Sequence, residues 1–459
     1  MLNYQIFFII LHSFIKLRET YLNNKRKILF MSRKLRLRYR ILPFFIILLL
    51  SSNIIMIFVF NNLELINVPH DADRKYNGNT LIVSASFSEM LNHLNRIDDQ
   101  KPVEPNNPVH KVYEVDPEGN VIWELRGLAY PHEVLELPNG HLLIADTGYN
   151  RVIEVDYPNK SIVWSWEPAQ INWTKVNTEW GSDHYYNNPL TYDWSHLNDV
   201  DFKQYSTWNA CLISIRNFDL IIEVNYTADF NDPNNSDNVV WWYGDYDNHT
   251  LLFRQHNPDY LESGNIIISD SGNDRIVEIN YTTKEEVWKL DHGLNWPRDA
   301  DELDNGNILV TDSSNSRIIE VNKESKQIVW SFSQDLIIPY EADLLDNENI
   351  LISSAYNGII LEVNRNGIII WRYGLSIVKS LIYLNSIISI AISSIVLYYR
   401  YEKIKLYKRA SKKNKKLDYF VLLTFFSFLI LGILMLIFYS QILAAVARFA
   451  YLSLGAESF

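Results

Sequence analysis

Cysteine is almost absent from this chain of 459 residues, which contains only Cys211. A single thiol excludes an intramolecular disulfide, even in an oxidising compartment. Basic residues are also scarce between residues 63 and 374, where acidic residues outnumber them more than twofold. Nucleic acid presents closely spaced phosphates that require a basic surface. The composition therefore argues against nucleic acid as a partner.

A repeated phrase fills the region from 63 to 374. The residues that open its six copies are His70, His132, His196, His256, Arg298 and Tyr340. In five copies a turn pair such as Asn139-Gly140 follows seven and eight positions later, and Asn-Gly between apolar runs favours a type I′ hairpin. A second turn and an outer run containing tryptophan complete each copy. Each copy is therefore predicted to form four short strands.

The spacing of the copies indicates how they are arranged. Arg298 lies 42 residues from both His256 and Tyr340, close to the length of one four-stranded propeller blade. The longer intervals contain polar insertions, predicted as loops, at about 84–109, 167–194 and 228–238. A solenoid would also fit a regular period, but six units made only of strands favour a closed ring. The sequence predicts an all-β fold, a six-bladed β-propeller over 63–374 with flanking transmembrane helices.

Three apolar segments are long enough to cross a bilayer as helices. They are 41–62, 378–399 and 417–445. Ten lysines and arginines precede the first segment and nine lie between the second and third, so both stretches are predicted to be cytoplasmic.

This charge distribution predicts a multi-pass protein of the cell membrane, in contact with the lipid bilayer and with its propeller on the extracytoplasmic side. The flanking parts are a basic cytoplasmic segment at 1–40, a basic cytoplasmic loop at 400–416 and an external tail at 446–459. A cleaved signal peptide is the alternative for the first apolar segment. Met31, just ahead of a basic cluster, is an alternative start.

Most copies carry an aspartate at the second turn and an arginine five positions later. These pairs are Asp146 and Arg151, Asp270 and Arg275, and Asp312 and Arg317. Because the pair recurs whatever residue opens the copy, we interpret it as a turn cap and an ion pair between strands.

The third copy breaks this pattern. Ile215 replaces the aspartate, and Arg216 stands where other copies have threonine or serine. Asn198 follows His196 by two positions, which would place both side chains on one face of a strand. These departures indicate a functional role for the third copy.

Copies arranged around an axis would bring four imidazoles, a guanidinium and a phenol into one small volume. A single histidine at such a position is most often a satisfied core residue, but a ring of them favours a functional cluster. Three chemistries could use it. Imidazoles could hold a transition metal, although nearby arginines oppose a cation; the cluster could bind an anion; or one neutral imidazole could attack while arginine stabilises an oxyanion.

Several motifs resemble the arylsulfate sulfotransferases of the PAPS-independent type. They are HEVLELPNG from His132, HLND from His196, RNFD from Arg216 and QHNPDYLESGNIIISDSGNDR from Gln255. The resemblance covers nearly all of the propeller and none of the apolar segments. It implies an enzyme that moves a sulfuryl group from a phenolic (aryl) sulfate ester to a phenol or other hydroxyl acceptor. The cycle it implies is ping-pong, with a sulfohistidine intermediate and neither metal nor cofactor.

The resemblance also implies roles for individual residues. His256 would be the nucleophile, and His132 would act on the phenolic oxygen as an oxyanion ligand or as proton donor and acceptor. The residues expected to bind the sulfuryl oxygens are His196, Asn198 and Arg216. His70, Arg298 and Tyr340 are assigned by repeat symmetry to the lining of the funnel. The alternatives are a non-enzymatic binding scaffold on the cell surface and a metal-dependent lyase or lactonase.

Overall fold

The computed structural model describes residues 67–86, 109–180, 193–226, 238–245 and 248–374. These residues form 24 strands in six antiparallel sheets of four. Each sheet uses four consecutive strands, so every copy of the repeat folds into its own blade. The prediction of an all-β, six-bladed propeller is confirmed.

The strands follow one another in chain order within each blade. Blade 1 contains β1 (Asn67–Arg74), β2 (Thr80–Ser86), β3 (Lys111–Val115) and β4 (Val121–Arg126). Blade 2 contains β5 (Glu133–Glu136), β6 (Leu142–Asp146), β7 (Arg151–Asp156) and β8 (Ser161–Trp166). Blade 3 contains β9 (Leu197–Gln204), β10 (Asn209–Ile215), β11 (Leu220–Asn225) and β12 (Val239–Gly244).

The second half of the ring repeats the arrangement. Blade 4 contains β13 (His256–Tyr260), β14 (Ile266–Asp270), β15 (Arg275–Ile279) and β16 (Glu286–Leu290). Blade 5 contains β17 (Pro297–Glu302), β18 (Asn307–Asp312), β19 (Arg317–Asn322) and β20 (Ile328–Phe332). Blade 6 contains β21 (Pro339–Leu344), β22 (Ile350–Ser354), β23 (Ile359–Val363) and β24 (Ile369–Tyr373).

Helical structure among these residues is limited to single turns. In blades 2 to 6 a 3-10 turn joins the second and third strands, at Thr147–Tyr149, Arg216–Phe218, Ser271–Asn273, Ser313–Asn315 and Ala355–Asn357. The insertion between blades 2 and 3 contains a 3-10 turn at Pro168–Gln170 and an α-helical turn at Trp173–Val176.

The hairpin between the first two strands differs from the predicted type I′ turn. In the first hairpin of blade 2, Gly140 has a left-handed φ of 80°, whereas Asn139 does not. The Gly140 amide donates to the Leu137 carbonyl at 2.8 Å, which makes a three-residue loop ending in a left-handed residue. Asn139 instead accepts the His141 amide on its side chain at 3.0 Å. The prediction was wrong because asparagine can satisfy a turn through its side chain without adopting positive φ.

Blade 6 carries a strained version of this loop. Glu348 has a φ of 62° where blade 5 has Gly306 at 77°. A side chain in this conformation costs about 1 kcal/mol, which glycine avoids. We expect Glu348→Gly to raise the free energy of unfolding by about 0.5–1 kcal/mol and Gly306→Ala to lower it, both measured by denaturant titration. An unchanged or lower stability of Glu348→Gly would contradict this account.

Neighbouring blades pack through apolar clusters, and the cluster between blades 6 and 1 closes the ring. Its buried members are Ala72, Ile82, Tyr113, Val115, Leu351 and Ile360. The outer tryptophans add hydrogen bonds between blades: Trp330 Nε1 donates to the Arg365 carbonyl and Trp371 Nε1 to the Pro117 carbonyl, each at 2.9 Å. The last of these bonds joins blade 6 to blade 1, so closure uses the contact that joins other neighbours.

The recurring aspartate and arginine form the predicted structural pair. Asp146 Oδ2 accepts from Arg151 Nε at 2.8 Å, and Asp146 Oδ1 accepts the Ala129 amide at 2.7 Å. The same two bonds recur at Asp270 and at Asp312. In blade 3, Ile215 is fully buried in the apolar cluster between blades 2 and 3.

The three predicted membrane segments, the cytoplasmic stretches and the external tail lie outside the described residues, as do parts of the three insertions. Within the described part of the chain, no helix combines the length and the hydropathy needed to cross a bilayer.

Candidate active site

A β-bulge presents the opening residue in blades 1, 5 and 6, whereas in blade 4 His256 is paired with Ser269 and the bulged residue is Asn257. In blade 1, Pro69 pairs with Ser84 and Asp71 pairs with Val83, which leaves His70 out of register between them. The residues bulged in the same way in blades 5 and 6 are Arg298 and Tyr340. A bulge redirects a side chain relative to its strand, so the repeat presents these residues by one local device.

Blade 3 uses the same device with a different residue. Leu197 pairs with Ile215 and Asp199 with Ser214, so the bulged residue is Asn198. In four other blades the residue two positions before the opening residue has a left-handed φ; these residues are Tyr130, Arg254, Trp296 and Ile338. In blade 3 the residue in this conformation is His196, with a φ of 44°, and it lies two positions before Asn198. The prediction that His196 opens the third copy was therefore wrong. His196 lies just ahead of β9 and two residues before the opening position, so simple alternation along a strand does not relate it to Asn198.

Aromatic and cationic side chains from five blades meet in one continuous cluster. The ring centroids of Tyr340 and His70 are 5.0 Å apart, those of His70 and His132 4.4 Å, and those of His132 and His196 4.8 Å. The guanidinium carbon of Arg298 lies 3.5 Å from the centre of the Tyr340 ring. The four rings are buried. The structure thus brings these sequence-predicted residues together.

His256 is held in one tautomer by Ser271. The Ser271 hydroxyl donates its only proton to the Pro297 carbonyl, so it accepts from His256 Nδ1 at 2.7 Å. This leaves a lone pair on Nε2. Burial lowers the pKa of His256 well below its usual value, and the positive charges of Arg298 and Arg216 lower it further. The ring is therefore neutral near neutral pH and carries a potential nucleophile.

Backbone carbonyls fix two more imidazoles in the same way. His132 Nδ1 lies 3.1 Å from the Tyr130 carbonyl and His70 Nδ1 lies 3.0 Å from the Pro131 carbonyl. A carbonyl only accepts, so both rings carry their proton on Nδ1. Burial lowers the pKa of His132 well below its usual value, with smaller effects from His70 and His196. His132 Nε2 is therefore a proton acceptor.

Blade 3 supplies a histidine held by a carboxylate and an arginine. His196 Nδ1 donates to Asp193 Oδ1 at 2.6 Å, and both side chains are buried. Arg216 begins the 3-10 turn of this blade, is 7 % exposed, and its amide donates to the His196 carbonyl at 3.2 Å. Other blades have Thr147, Ser271 or Ser313 at this place. At this position blade 3 therefore has the guanidinium of Arg216, whereas blade 4 has the hydroxyl of Ser271, which bonds to both His256 and the Pro297 carbonyl.

Asn198 and Gln255 connect blade 3 to the backbone next to His256. Asn198 Nδ2 donates to the Gln255 carbonyl at 3.0 Å, and Gln255 Nε2 donates to the Leu220 carbonyl at 2.9 Å. Asn198 Oδ1 is buried without a hydrogen-bond partner. Because Gln255 directly precedes His256, these bonds fix the backbone that carries the His256 ring.

The structure adds three residues that sequence reasoning missed. Ser271 sets the tautomer of His256, Asp193 orients His196, and the ring of Tyr130 lies 4.8 Å from that of His132. Ser271 could have been noticed because it matches Arg216 in the repeat. Asp193 lies at the end of an insertion, and nothing in the repeat pattern indicates its partner.

Solved structures resemble this chain weakly. Virginiamycin B lyase from Staphylococcus aureus has a TM-score of 0.42 and 10% identity, and the match covers 68% of this chain and 85% of the lyase. A protein of unknown function from Bacteroides caccae has a TM-score of 0.40 and 13% identity, with 57% and 89% covered. Likenesses at this level do not define a shared activity. No curated protein matches the chain.

Two family models match different parts of the propeller region. Residues 261–416 match the model described as outer membrane protein assembly factor BamB, and residues 75–257 match the model of the arylsulfotransferases. The second range contains His132, His196, Asn198, Arg216 and His256. The match confirms, over residues 75–257, the resemblance to the arylsulfotransferases that the motifs indicate.

Proposed function

We propose that this protein moves a sulfuryl group from an aryl sulfate to a phenol or other hydroxyl acceptor, through a sulfohistidine at His256. The observation that carries this proposal is the bonding of His256. Its Nδ1 proton is engaged by Ser271, its Nε2 lone pair is available, and burial keeps the ring neutral. A neutral, oriented imidazole beside guanidinium groups has the composition that covalent transfer of an anionic group requires.

In the first step His256 Nε2 attacks the sulfur of the donor. The bond between sulfur and the phenolic oxygen breaks, and the phenolate leaves with the electron pair. Arg216 offsets the charge on the sulfuryl oxygens. Their further donors in this proposal are Asn198 Nδ2 and Nε2 of a protonated His196, whose positive charge Asp193 stabilises. Positive charge in a buried site stabilises such a transition state strongly, because little water is present to screen it.

In the second step the acceptor hydroxyl attacks the sulfur of the sulfohistidine. The sulfur–nitrogen bond breaks, and its electron pair returns to His256 Nε2. His132 Nε2 takes the proton of the acceptor hydroxyl and later passes it to the next departing phenolate. The lowered pKa of His132 supports this base role, because the ring is neutral and its Nδ1 proton is already engaged by the Tyr130 carbonyl.

The arrangement of donors disfavours a metal-dependent lyase built on the histidines. Among the described residues, the groups of three side chains that could hold a metal ion consist of carboxylates and include none of the axial histidines. Arg216 and Arg298 also lie close enough to lower the pKa of His256. A cation bound by these imidazoles would meet the same repulsion.

Trapping the intermediate tests the proposal. After incubation with 4-nitrophenyl sulfate, we expect the intact mass to rise by one sulfuryl group, located at His256 by peptide mapping and lost on addition of phenol. Inorganic sulfate, which has no phenolate leaving group, is the matched control and should leave the mass unchanged. Absence of an adduct with aryl sulfates, or an adduct at another residue, would contradict the mechanism.

We further propose that the propeller lies on the extracytoplasmic side of the cell membrane. The apolar segments 41–62, 378–399 and 417–445 and the basic stretches beside them support this proposal. The protein should resist alkaline extraction from membranes, and protease added outside intact cells should cut the propeller region. Release by alkali, or full protection from external protease, would overturn it.

A further inference from the structure

The first strands carry two tiers of carboxylates below the histidine cluster. The upper tier directly follows His70, His132, Asn198, Arg298 and Tyr340 and contains Asp71, Glu133, Asp199, Asp299 and Glu341. The lower tier lies two residues further along and contains Asp73, Asp201, Asp259, Asp301 and Asp343. Alternate residues of a strand share a face, and the carboxyl of Asp343 interacts electrostatically with Asp73 and Asp301 of other blades. The tiers therefore converge around the central axis.

These ten acids lack close basic partners, and Asp201 alone interacts favourably with a nearby lysine, Lys203. None of the salt bridges found among the described residues includes any of them. The two basic residues that follow Asp73 in blade 1 form salt bridges with other acids. Arg74 pairs with Glu362 at 2.8 Å and Lys75 pairs with Glu114 at 3.3 Å. The negative charge of these carboxylates around the central axis, here called the central channel, must therefore be neutralised by protons or by a bound cation.

One subset has the spacing of a metal site. Carboxylate oxygens of Asp71, Asp73 and Glu133 all lie within 4.8 Å of one another. Oxygen ligands at such spacing suit hard divalent cations, above all Ca²⁺, which accepts six to eight oxygens in a flexible geometry and completes its shell with water.

Unpartnered buried oxygens point into the same region. Asp71 Oδ2 accepts the Val134 amide at 3.0 Å, so this oxygen forms a hydrogen bond between blades 1 and 2. Asp71 Oδ1 is buried, and the side chains within reach of the Asp71 carboxyl are those of Glu341 and Glu133, which could bond to it only by sharing a proton. Asp199 Oδ2, from outside the subset, is buried without a hydrogen-bond partner, and Asp199 interacts electrostatically with Asp71. Acceptors that face only acceptors require either a shared proton or a cation between them.

We propose that Asp71, Asp73 and Glu133 bind one Ca²⁺ ion in the central channel, directly below the histidine cluster. The second subset, formed by Asp259, Asp299 and Asp301, is the weaker site. There Asp299 Oδ2 already accepts the Ala342 amide at 3.0 Å and the Thr311 hydroxyl at 3.3 Å. An ion at the first site offsets negative charge next to His70, on the path of an anionic substrate.

Calorimetric titration of the chelator-treated full chain with CaCl₂ and with MgCl₂ tests the proposal. We expect one Ca²⁺ per chain and weaker binding of Mg²⁺, which demands a stricter geometry. Asp73→Asn should weaken Ca²⁺ binding by about tenfold or more. Asp301→Asn removes the same charge from the same tier of blade 5 and should weaken it by less than about threefold. Asp346→Asn, at an exposed turn, should have no effect.

Absence of binding at millimolar Ca²⁺ would overturn the proposal, as would equal losses in Asp73→Asn and Asp301→Asn, which would indicate only a diffuse negative field. Glu133→Gln offers a second ligand variant if Asp73→Asn does not fold, with near-ultraviolet circular dichroism as the check. The titrations contain no aryl sulfate, and His256→Ala should bind Ca²⁺ like the unmodified protein. Failure of this proposal is therefore distinguishable from failure of sulfuryl transfer.

Discussion

Replacing His256 by alanine is expected to lower kcat for transfer from 4-nitrophenyl sulfate to phenol by about 10³-fold or more, because the nucleophile that accepts the sulfuryl group is removed. The mass adduct should disappear as well. The substitution leaves the Ser271 hydroxyl bonded to the Pro297 carbonyl, so no buried donor loses its partner and the fold should persist. Release of 4-nitrophenolate gives the rate.

A surface histidine provides the matched control. His292 has a side chain that is 61% exposed, and His292→Ala should leave both turnover and adduct unchanged. Added imidazole should restore part of the turnover of His256→Ala if the cavity accepts it as a replacement nucleophile. Turnover of His256→Ala within about tenfold of the unmodified protein would exclude His256 as nucleophile.

Arg216→Ser is expected to lower kcat/KM by about 10²–10³-fold, the loss typical when one preorganised charge at a transition state is removed. Serine stands at this position of the 3-10 turn in blades 4 and 5, as Ser271 and Ser313. The substitution therefore installs a residue that the repeat already tolerates there. A loss of activity without a loss of stability would separate the charge of Arg216 from its place in the fold.

The pH profile of Arg216→Ser distinguishes an electrostatic effect of Arg216 on His256 from a purely structural role of Arg216. Burial and the charges of Arg298 and Arg216 lower the pKa of His256. Removing one of these charges makes the protonated ring less unfavourable, so the pKa rises and the acid limb of kcat/KM should move to higher pH. Arg372→Ser, on the outer strand of blade 6 with a 37% exposed side chain, is the control. An unmoved acid limb would show that Arg216 does not act on His256.

The blades were predictable because the repeat is local. Alternating apolar runs and turn residues at fixed offsets specify four strands whatever the neighbouring blades contain. The pairing of Asp146 with Arg151 was predictable for the same reason, since both residues belong to one hairpin. The type of the first turn was not, because Asn139 has two ways to satisfy it and the sequence does not choose between them.

The site was predictable only in part. Equivalent positions in a closed ring must meet at its axis, so His70, His132 and Tyr340 came together as expected. In blade 3 the histidine lies two positions before the opening residue, and only the strand pairing identifies Asn198 as the bulged residue. The replacement at Arg216 was visible in the sequence because the repeat supplies its own comparison.

The sequence by itself determined the number of blades, the strands within them, the residues that meet at the axis and the break in the third copy. Those features follow from periodicity along the chain. The tertiary structure decided the tautomer of His256 through Ser271 and Pro297, the carboxylate that holds His196, and the meeting of unpaired acids from different blades. These contacts join segments that lie close together only in the folded chain. The local sequence pattern of one blade therefore does not predict which acceptor lies opposite which donor.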